Sequence, residues 1–151
     1  MGQLSFPLSE HQVQDLIKVC TQATFGLDGK DIVDTNVRDS YQLDPSQIEI
    51  KNPEWNNKLN LLVKRVVKEI GYENPNVTAK LYKILLYKTG SHFVRHRDSE
   101  KEKNMFGTLI IQLPSEYTGG CFIAYSHDNK QKTFDFGQST GKEKMLLIVL
   151  K

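Results

Sequence analysis

A histidine and an aspartate two positions apart, His96 and Asp98, carry the clearest chemical signal in this chain. They lie in the segment 93–98, which is typical of a β-strand, and side chains two apart on a strand point to the same face. An imidazole nitrogen and a carboxylate oxygen side by side are two of the three ligands of the triad that binds non-haem iron(II). Arg95 and Arg97 are expected to face the other way, as surface charges.

The same spacing has a plain alternative, a hydrogen-bonded His–Asp pair near the end of a strand. The chain has four histidines, so a chance His-x-Asp is common and its meaning depends on the surrounding segments. His11 belongs to the first predicted helix and His92 to the loop after Gly90, so neither is a good further ligand. His127 lies in a predicted hairpin turn, where side chains normally face water.

Two helices are predicted to support the segment that carries the pair. The first spans about 9–20, because Ser9 and Gln12 form a capping-box pattern before apolar residues at helical spacing. The second spans about 53–70, with Asn52 as its cap and Pro53 as its first helical position. Between them, apolar islands at 32–33 and 48–50 indicate short edge strands.

After residue 79 the pattern changes to short runs rich in β-branched and aromatic residues, separated by turn residues. Strands are predicted near 79–87, 93–98, 105–113, 120–125, 131–136 and 144–150. Two helices followed by closely spaced strands indicate an α+β fold, in which the strands close into a sandwich, barrel or jelly roll and the helices buttress one sheet. The length of 151 residues fits a single domain, 1–151.

Composition excludes several classes of protein. Hydrophobic residues make up 38% and charged residues 25%, as in ordinary globular proteins, so the chain is expected to fold. A net charge of +2 with mixed signs argues against a nucleic-acid partner. Cys20 and Cys121 are far apart and are expected to be free thiols. No secretory signal or membrane span is seen, so we expect a cytoplasmic or nuclear protein.

Seven segments, one of which contains the pair, follow one another in an order that is found in a known protein family. They are FPLS at 6–9, VDTNVR at 33–38, LDPS at 43–46, LYKILLYKTG at 81–90, FVRHRD at 93–98, MFGTLIIQLPS at 105–115 and TGG at 118–120. Together they resemble prolyl-4-hydroxylase-like oxygenases that depend on iron(II) and 2-oxoglutarate. The upstream segments are similar to a fungal and plant branch of that family, and the resemblance covers about residues 4–140.

The resemblance implies a double-stranded β-helix, a relative of the jelly roll, as the core fold. It also implies iron(II) bound by His96, Asp98 and a distal histidine, and a 2-oxoglutarate anchored by a basic residue beyond that histidine. Ascorbate is a further cofactor that the family can use. The implied activity is a dioxygenase that oxidises a C–H bond of a protein or small molecule and releases succinate and carbon dioxide.

Two further residues have a functional and a structural interpretation. Tyr87 matches a family position that reaches 2-oxoglutarate, and the alternative is a core tyrosine with a satisfied hydroxyl. Arg38 lies in a polar segment that can border the substrate opening, although an arginine in a loop is usually just solvated.

The sequence departs from the family pattern near its end. No histidine follows His127 and the basic partner is also not found, so we expect a β-helix that is incomplete at its C-terminal end and a chain that is inactive alone. The alternative is a non-catalytic jelly-roll module for binding or regulation that still holds a metal. A small metal-dependent hydrolase is a third interpretation, but it needs further ligands that the sequence does not place.

Overall fold

A computed structural model of the chain describes residues 3–72, 76–101, 103–114, 117–135 and 147–150. Two α-helices and eleven short strands make up these ranges, so the predicted α+β class is confirmed. In chain order the elements are α1 Glu10–Val19, β1 Thr21–Gln22, β2 Phe25–Leu27, β3 Lys30–Ile32, β4 Arg38–Asp39, β5 Tyr41–Leu43, a 3₁₀ turn Pro45–Gln47, α2 Trp55–Glu69, β6 Leu81–Leu86, β7 His92–Phe93, β8 Leu109–Gln112, β9 Phe122–Tyr125, β10 Gln131–Phe134 and β11 Leu147–Leu150.

The start of α1 follows the predicted capping box. The amide of Gln12 donates to the Ser9 hydroxyl at 3.3 Å, and the Gln12 side chain accepts from the Ser9 amide at 3.1 Å. The predicted start of α2 at Pro53 is wrong by two residues, because α2 begins at Trp55. The Asn52 side chain accepts from the amide of Glu54 at 3.0 Å, so Asn52 caps the turn that precedes the helix.

The main sheet has five strands in the order β1-β5-β6-β11-β8. β11 is antiparallel to both of its neighbours, with Ile148 opposite Ile84 on one side and Ile111 on the other. Both helices pack against this sheet, as predicted. The buried residues at their junction are Leu16 of α1, Leu43 of β5, and Ile84 and Leu86 of β6, and Trp55 and Leu59 of α2 pack against them.

The remaining strands form three small antiparallel pairs, β2–β3, β4–β7 and β9–β10, and no sheet among the described residues is closed or curled. The predicted strand 93–98 is wrong beyond Phe93, and residues 48–50 form no strand. Residue 136 and residues 144–146 of the predicted strands lie outside the described residues. The predicted turn at 126–130 is confirmed, since the Ser126 amide donates to the Lys130 carbonyl at 2.8 Å.

Within the described ranges, neither helix is long and apolar enough to cross a membrane.

Candidate metal site

The segment that carries His96 and Asp98 leaves a strand just before the histidine. β7 pairs with β4 through Phe93 opposite Arg38, and the amide of Val94 donates to the Val37 carbonyl at 2.9 Å. The pairing stops there because residues 34–37 form a turn, in which the amide of Val37 donates to the Asp34 carbonyl at 3.1 Å. With no partner strand left, the chain from residue 94 onward is irregular.

His96 and Asp98 nevertheless lie side by side. Nε2 of His96 is 3.5 Å from Oδ1 of Asp98, and the two side chains are 39% and 52% exposed. Two donors bound at about 2.1 Å to adjacent octahedral positions of one ion lie roughly 3 Å apart. The pair therefore needs a movement of only about half an ångström to hold one ion, and the site is open to solvent on one side.

The other ring nitrogen decides what this pair can do. Nδ1 of His96 is 2.8 Å from the Val94 carbonyl oxygen. A carbonyl oxygen only accepts hydrogen bonds, so Nδ1 carries a proton and donates it. Nε2 then faces the Asp98 carboxylate, which also only accepts. In this tautomer the lone pair of Nε2 faces the carboxylate, and a ring nitrogen that donates to a backbone carbonyl while the other presents its lone pair is the usual arrangement of a histidine ligand.

Asp98 is held in its charged form. The hydrogen bond with His96 lowers the pKa of Asp98 below its usual range, and a hydrogen bond with the Thr108 side chain and the nearby charge of Arg38 act in the same direction. Partial burial opposes them and raises the pKa. The balance leaves a carboxylate at neutral pH, which is the form that binds a metal.

Phe93 and Arg38 support the histidine; the sequence did not indicate Phe93, and it suggested Arg38 only as a residue at the substrate opening. The Phe93 ring stacks on the His96 imidazole with 3.5 Å between centroids and 18° between planes, and the Arg38 guanidinium carbon lies 4.4 Å from the Phe93 centroid. Arg38 is only 7% exposed, so the expectation of a solvated loop arginine is wrong. Its Nε donates to the Ser40 hydroxyl at 3.0 Å and its Nη1 to the Thr24 carbonyl at 2.8 Å.

The flanking arginines Arg95 and Arg97 are both exposed, in line with the prediction of surface charges. Arg95 also makes a specific contact. Its guanidinium carbon lies 4.1 Å from the Tyr125 ring centroid, and its Nη2 donates to the Asn129 side chain at 2.6 Å. This contact ties the segment of His96 to the β9–β10 hairpin.

Tyr87 directly follows β6 and is half-buried. It lines the same open cleft as His96 and Asp98, a cleft of about 2080 Å³. That position is compatible with both interpretations of Tyr87, the 2-oxoglutarate contact and the packed tyrosine.

The other three histidines are exposed and lie in separate elements. His11 lies 3.4 Å from Asp15 on α1, and His127 occupies the β9–β10 turn. His92 belongs to β7 instead of the predicted loop, and its Nε2 lies 3.2 Å from the Asn36 carbonyl oxygen.

Among the described residues, no cluster of three or more His, Cys, Asp or Glu side chains could hold a metal ion. In the described part of the chain, the candidate donors at this site are therefore the pair His96 and Asp98. In comparisons with known proteins, no family model, no curated protein and no solved structure matches the chain.

Proposed function

We propose that this chain is an iron(II)- and 2-oxoglutarate-dependent dioxygenase of the prolyl-4-hydroxylase-like kind, with His96 and Asp98 as iron ligands. The observation that carries the proposal is the arrangement of the pair, with Nε2 and Oδ1 3.5 Å apart and Nδ1 hydrogen-bonded to a backbone carbonyl. Iron(II) and 2-oxoglutarate, when bound, would activate dioxygen, so that one oxygen atom is inserted into a C–H bond of a protein or small-molecule substrate and the other enters succinate, with release of carbon dioxide.

The roles of the chain's own residues follow from the site. His96 and Asp98 offer one nitrogen and one charged oxygen, a donor set suited to iron(II), and leave the other positions of the ion open. The Thr108 side chain hydrogen-bonds to Asp98 and so helps to orient the carboxylate. Tyr87, which lines the same cleft, is proposed as a contact of 2-oxoglutarate.

The order of the main sheet supports a jelly-roll core. β11 lies between β6 and β8 and is antiparallel to both, so strands distant in sequence are neighbours in space. Long connections between antiparallel neighbours are typical of double-stranded and Greek-key architectures. We propose that the double-stranded β-helix is the architecture to which this sheet belongs.

A second candidate function is a non-catalytic module that binds a divalent metal through the same pair. The observation that favours it is the count of two protein donors among the described residues. Two protein donors hold a metal less tightly than three. A bound 2-oxoglutarate also needs a basic side chain to anchor its carboxylate by a charge-assisted hydrogen bond.

Metal binding is tested by titrating the 151-residue protein with cobalt(II) and following the visible absorption of the ion. We expect saturable binding that H96Q and D98N each abolish, because each removes one of the two donors. H127Q is the matched control, since His127 is exposed in a turn and makes no predicted metal contact. Binding that survives H96Q and D98N, or no binding at all, contradicts both candidate functions.

Turnover separates the two candidates. The 151-residue protein, and any longer chain that includes it, is supplied with iron(II), 2-oxoglutarate and oxygen, and succinate is measured. The oxygenase predicts succinate release that needs iron and that H96Q removes. Metal binding without succinate release favours the non-catalytic module instead.

A further inference from the structure

We propose that Phe93 is a positioning residue, which, held by Arg38, fixes the plane of the His96 imidazole for metal binding. The inference rests on the proposed metal site. Phe93 is not itself one of the proposed metal ligands, and the observation behind the inference is the stacking of its ring on the His96 imidazole.

The contacts of Phe93 define a stack of three groups. Its ring lies nearly parallel to the His96 imidazole, 3.5 Å between centroids, and the guanidinium of Arg38 lies 4.4 Å from its centroid. Arg38 and Phe93 are direct cross-strand partners, and such partners project their side chains to the same face of the pair. The stack is therefore built on β4–β7, the last regular element before His96.

Arg38 is the rigid end of the stack. It is 7% exposed, and its Nε and Nη1 donate to Ser40 and Thr24. A guanidinium fixed by two hydrogen bonds offers a flat, immobile surface, and Phe93 gains both cation–π attraction and burial by packing on it. Arg38 thus limits the positions open to the Phe93 ring.

Two contacts then determine the imidazole of His96. Its Nδ1–H donates to the Val94 carbonyl at 2.8 Å, which fixes the direction of the ring edge. The Phe93 face fixes the ring plane. Both are needed, because the chain around His96 is irregular and the histidine is exposed, so no strand neighbours hold it. With edge and plane fixed, Nε2 points toward Asp98.

The test compares F93L with F93Y and with F25L. Phe25 packs on Phe93 with 6.3 Å between centroids, so F25L loosens the same cluster without removing the ring that touches His96. In the metal-free protein, the ring current of Phe93 shifts the His96 ring protons upfield in NMR spectra. We expect that shift to be lost in F93L and kept in F93Y and F25L.

The second readout is the Kd for cobalt(II). Supporting contacts of metal ligands typically change metal affinity by about 10- to 100-fold, so we expect F93L to weaken binding by about tenfold or more, with F93Y and F25L close to the original protein. An unchanged cobalt Kd in F93L, with the original protein binding normally, overturns the inference alone. Equal losses of cobalt(II) affinity in F93L and F25L overturn the inference as well, since they indicate that the whole aromatic cluster has loosened.

If the original protein binds no cobalt(II), the proposed metal site and this inference both fail. The histidine shifts remain informative about the stack in that case, because they are measured without metal. A His96 ring whose shifts do not respond to F93L contradicts the positioning role whatever the metal result.

Discussion

Arg38, Phe93 and His96 form the chemically most specific contact in the described structure. A buried guanidinium, a phenyl ring and an imidazole are aligned so that each limits the freedom of the next. Burying a cation is favourable only when its donors are satisfied. Arg38 meets that condition through Ser40 and Thr24, so its removal affects both stability and the site.

The substitution R38M is expected to lower the free energy of unfolding by about 2 kcal/mol, because hydrogen bonds from a charged donor are lost and their buried acceptors stay unpaired. Urea denaturation measures the change. R65M is the control, since Arg65 is 78% exposed and forms a surface pair with Glu69 on α2, so its removal should leave stability nearly unchanged. Equal effects of the two substitutions would contradict the structural role of Arg38.

Cys20 and Cys121 are expected to differ in reactivity. Burial raises the pKa of the Cys20 thiol to about 11, whereas Cys121 is exposed. At pH 8 roughly one Cys20 in a thousand is then a thiolate, the reactive form. Alkylation with iodoacetamide, followed by mass spectrometry, should label Cys121 first, and the Cys20 rate should rise about tenfold per pH unit up to its pKa. Fast labelling of Cys20 at pH 8 would show that it is not shielded.

The raised pKa of the Cys20 thiol also makes the free energy of unfolding depend on pH in the alkaline range. The neutral thiol of Cys20 is favoured in the folded state, so its contribution is fully present below about 8.5, the usual pKa of a thiol. It is lost as pH rises toward about 11, where the folded thiol also ionises. Urea denaturation should show a smaller loss over this range in C20A, and an identical pH dependence in both proteins would contradict the assignment.

At the scale of elements, short strands depend on their turns. β2 and β3 are three residues each and meet at Asp28 and Gly29, both with positive φ, 49° and 75°. Two positive φ values in a two-residue loop are typical of the hairpin turn that matches the twist of its strands. Glycine adopts this backbone without a steric penalty, so the hairpin depends on it.

The substitution G29A is expected to destabilise the protein by about 1 to 2 kcal/mol, the usual cost of a left-handed backbone for a residue with a Cβ. G107A is the matched control, because an added Cβ at either glycine meets nothing within 4 Å and only Gly29 has a positive φ. The control should be neutral or slightly stabilising. Thermal unfolding by circular dichroism separates the two, and an equal response would exclude the turn as the cause.

At the scale of the whole molecule, the main sheet depends on a strand from the far end of the chain. β11 pairs with β6 and β8 at once and so joins β8 to the part of the sheet that packs on the helices. Without it, both neighbours present unpaired backbone edges, which favour aggregation.

Replacing residues 147–150 with Gly-Ser-Gly-Ser should lower Tm by about 10 °C or more, since several interstrand hydrogen bonds of about 1 kcal/mol each are weakened. Replacement with Ile-Val-Ile-Val keeps strand propensity and should keep most of the stability. Differential scanning calorimetry and light scattering measure both effects. A Gly-Ser variant as stable as the original would contradict the central position of β11.

Local pattern was enough to predict both helices, the strands β6, β8, β9, β10 and β11, and the β9–β10 turn, because capping, apolar spacing and turn residues act within a few positions along the chain. It did not predict β1, β2, β4 or β5, which are two or three residues long and, apart from β2, depend on partners elsewhere in the chain. It also brought His96 and Asp98 forward as a pair. It could not predict where β7 ends, since that limit is set by the turn at 34–37, some sixty residues away, which removes the partner strand.

The burial of Arg38 and its stack with Phe93 were likewise beyond the sequence alone. Their partners come from separate segments, and no local signal distinguishes a buried arginine from a solvated one. The residue types and their spacing therefore determined which groups are the candidate metal ligands. Tertiary structure decided how the imidazole is held, because that depends on a ring, a carbonyl and a guanidinium that meet only when β4 and β7 pair.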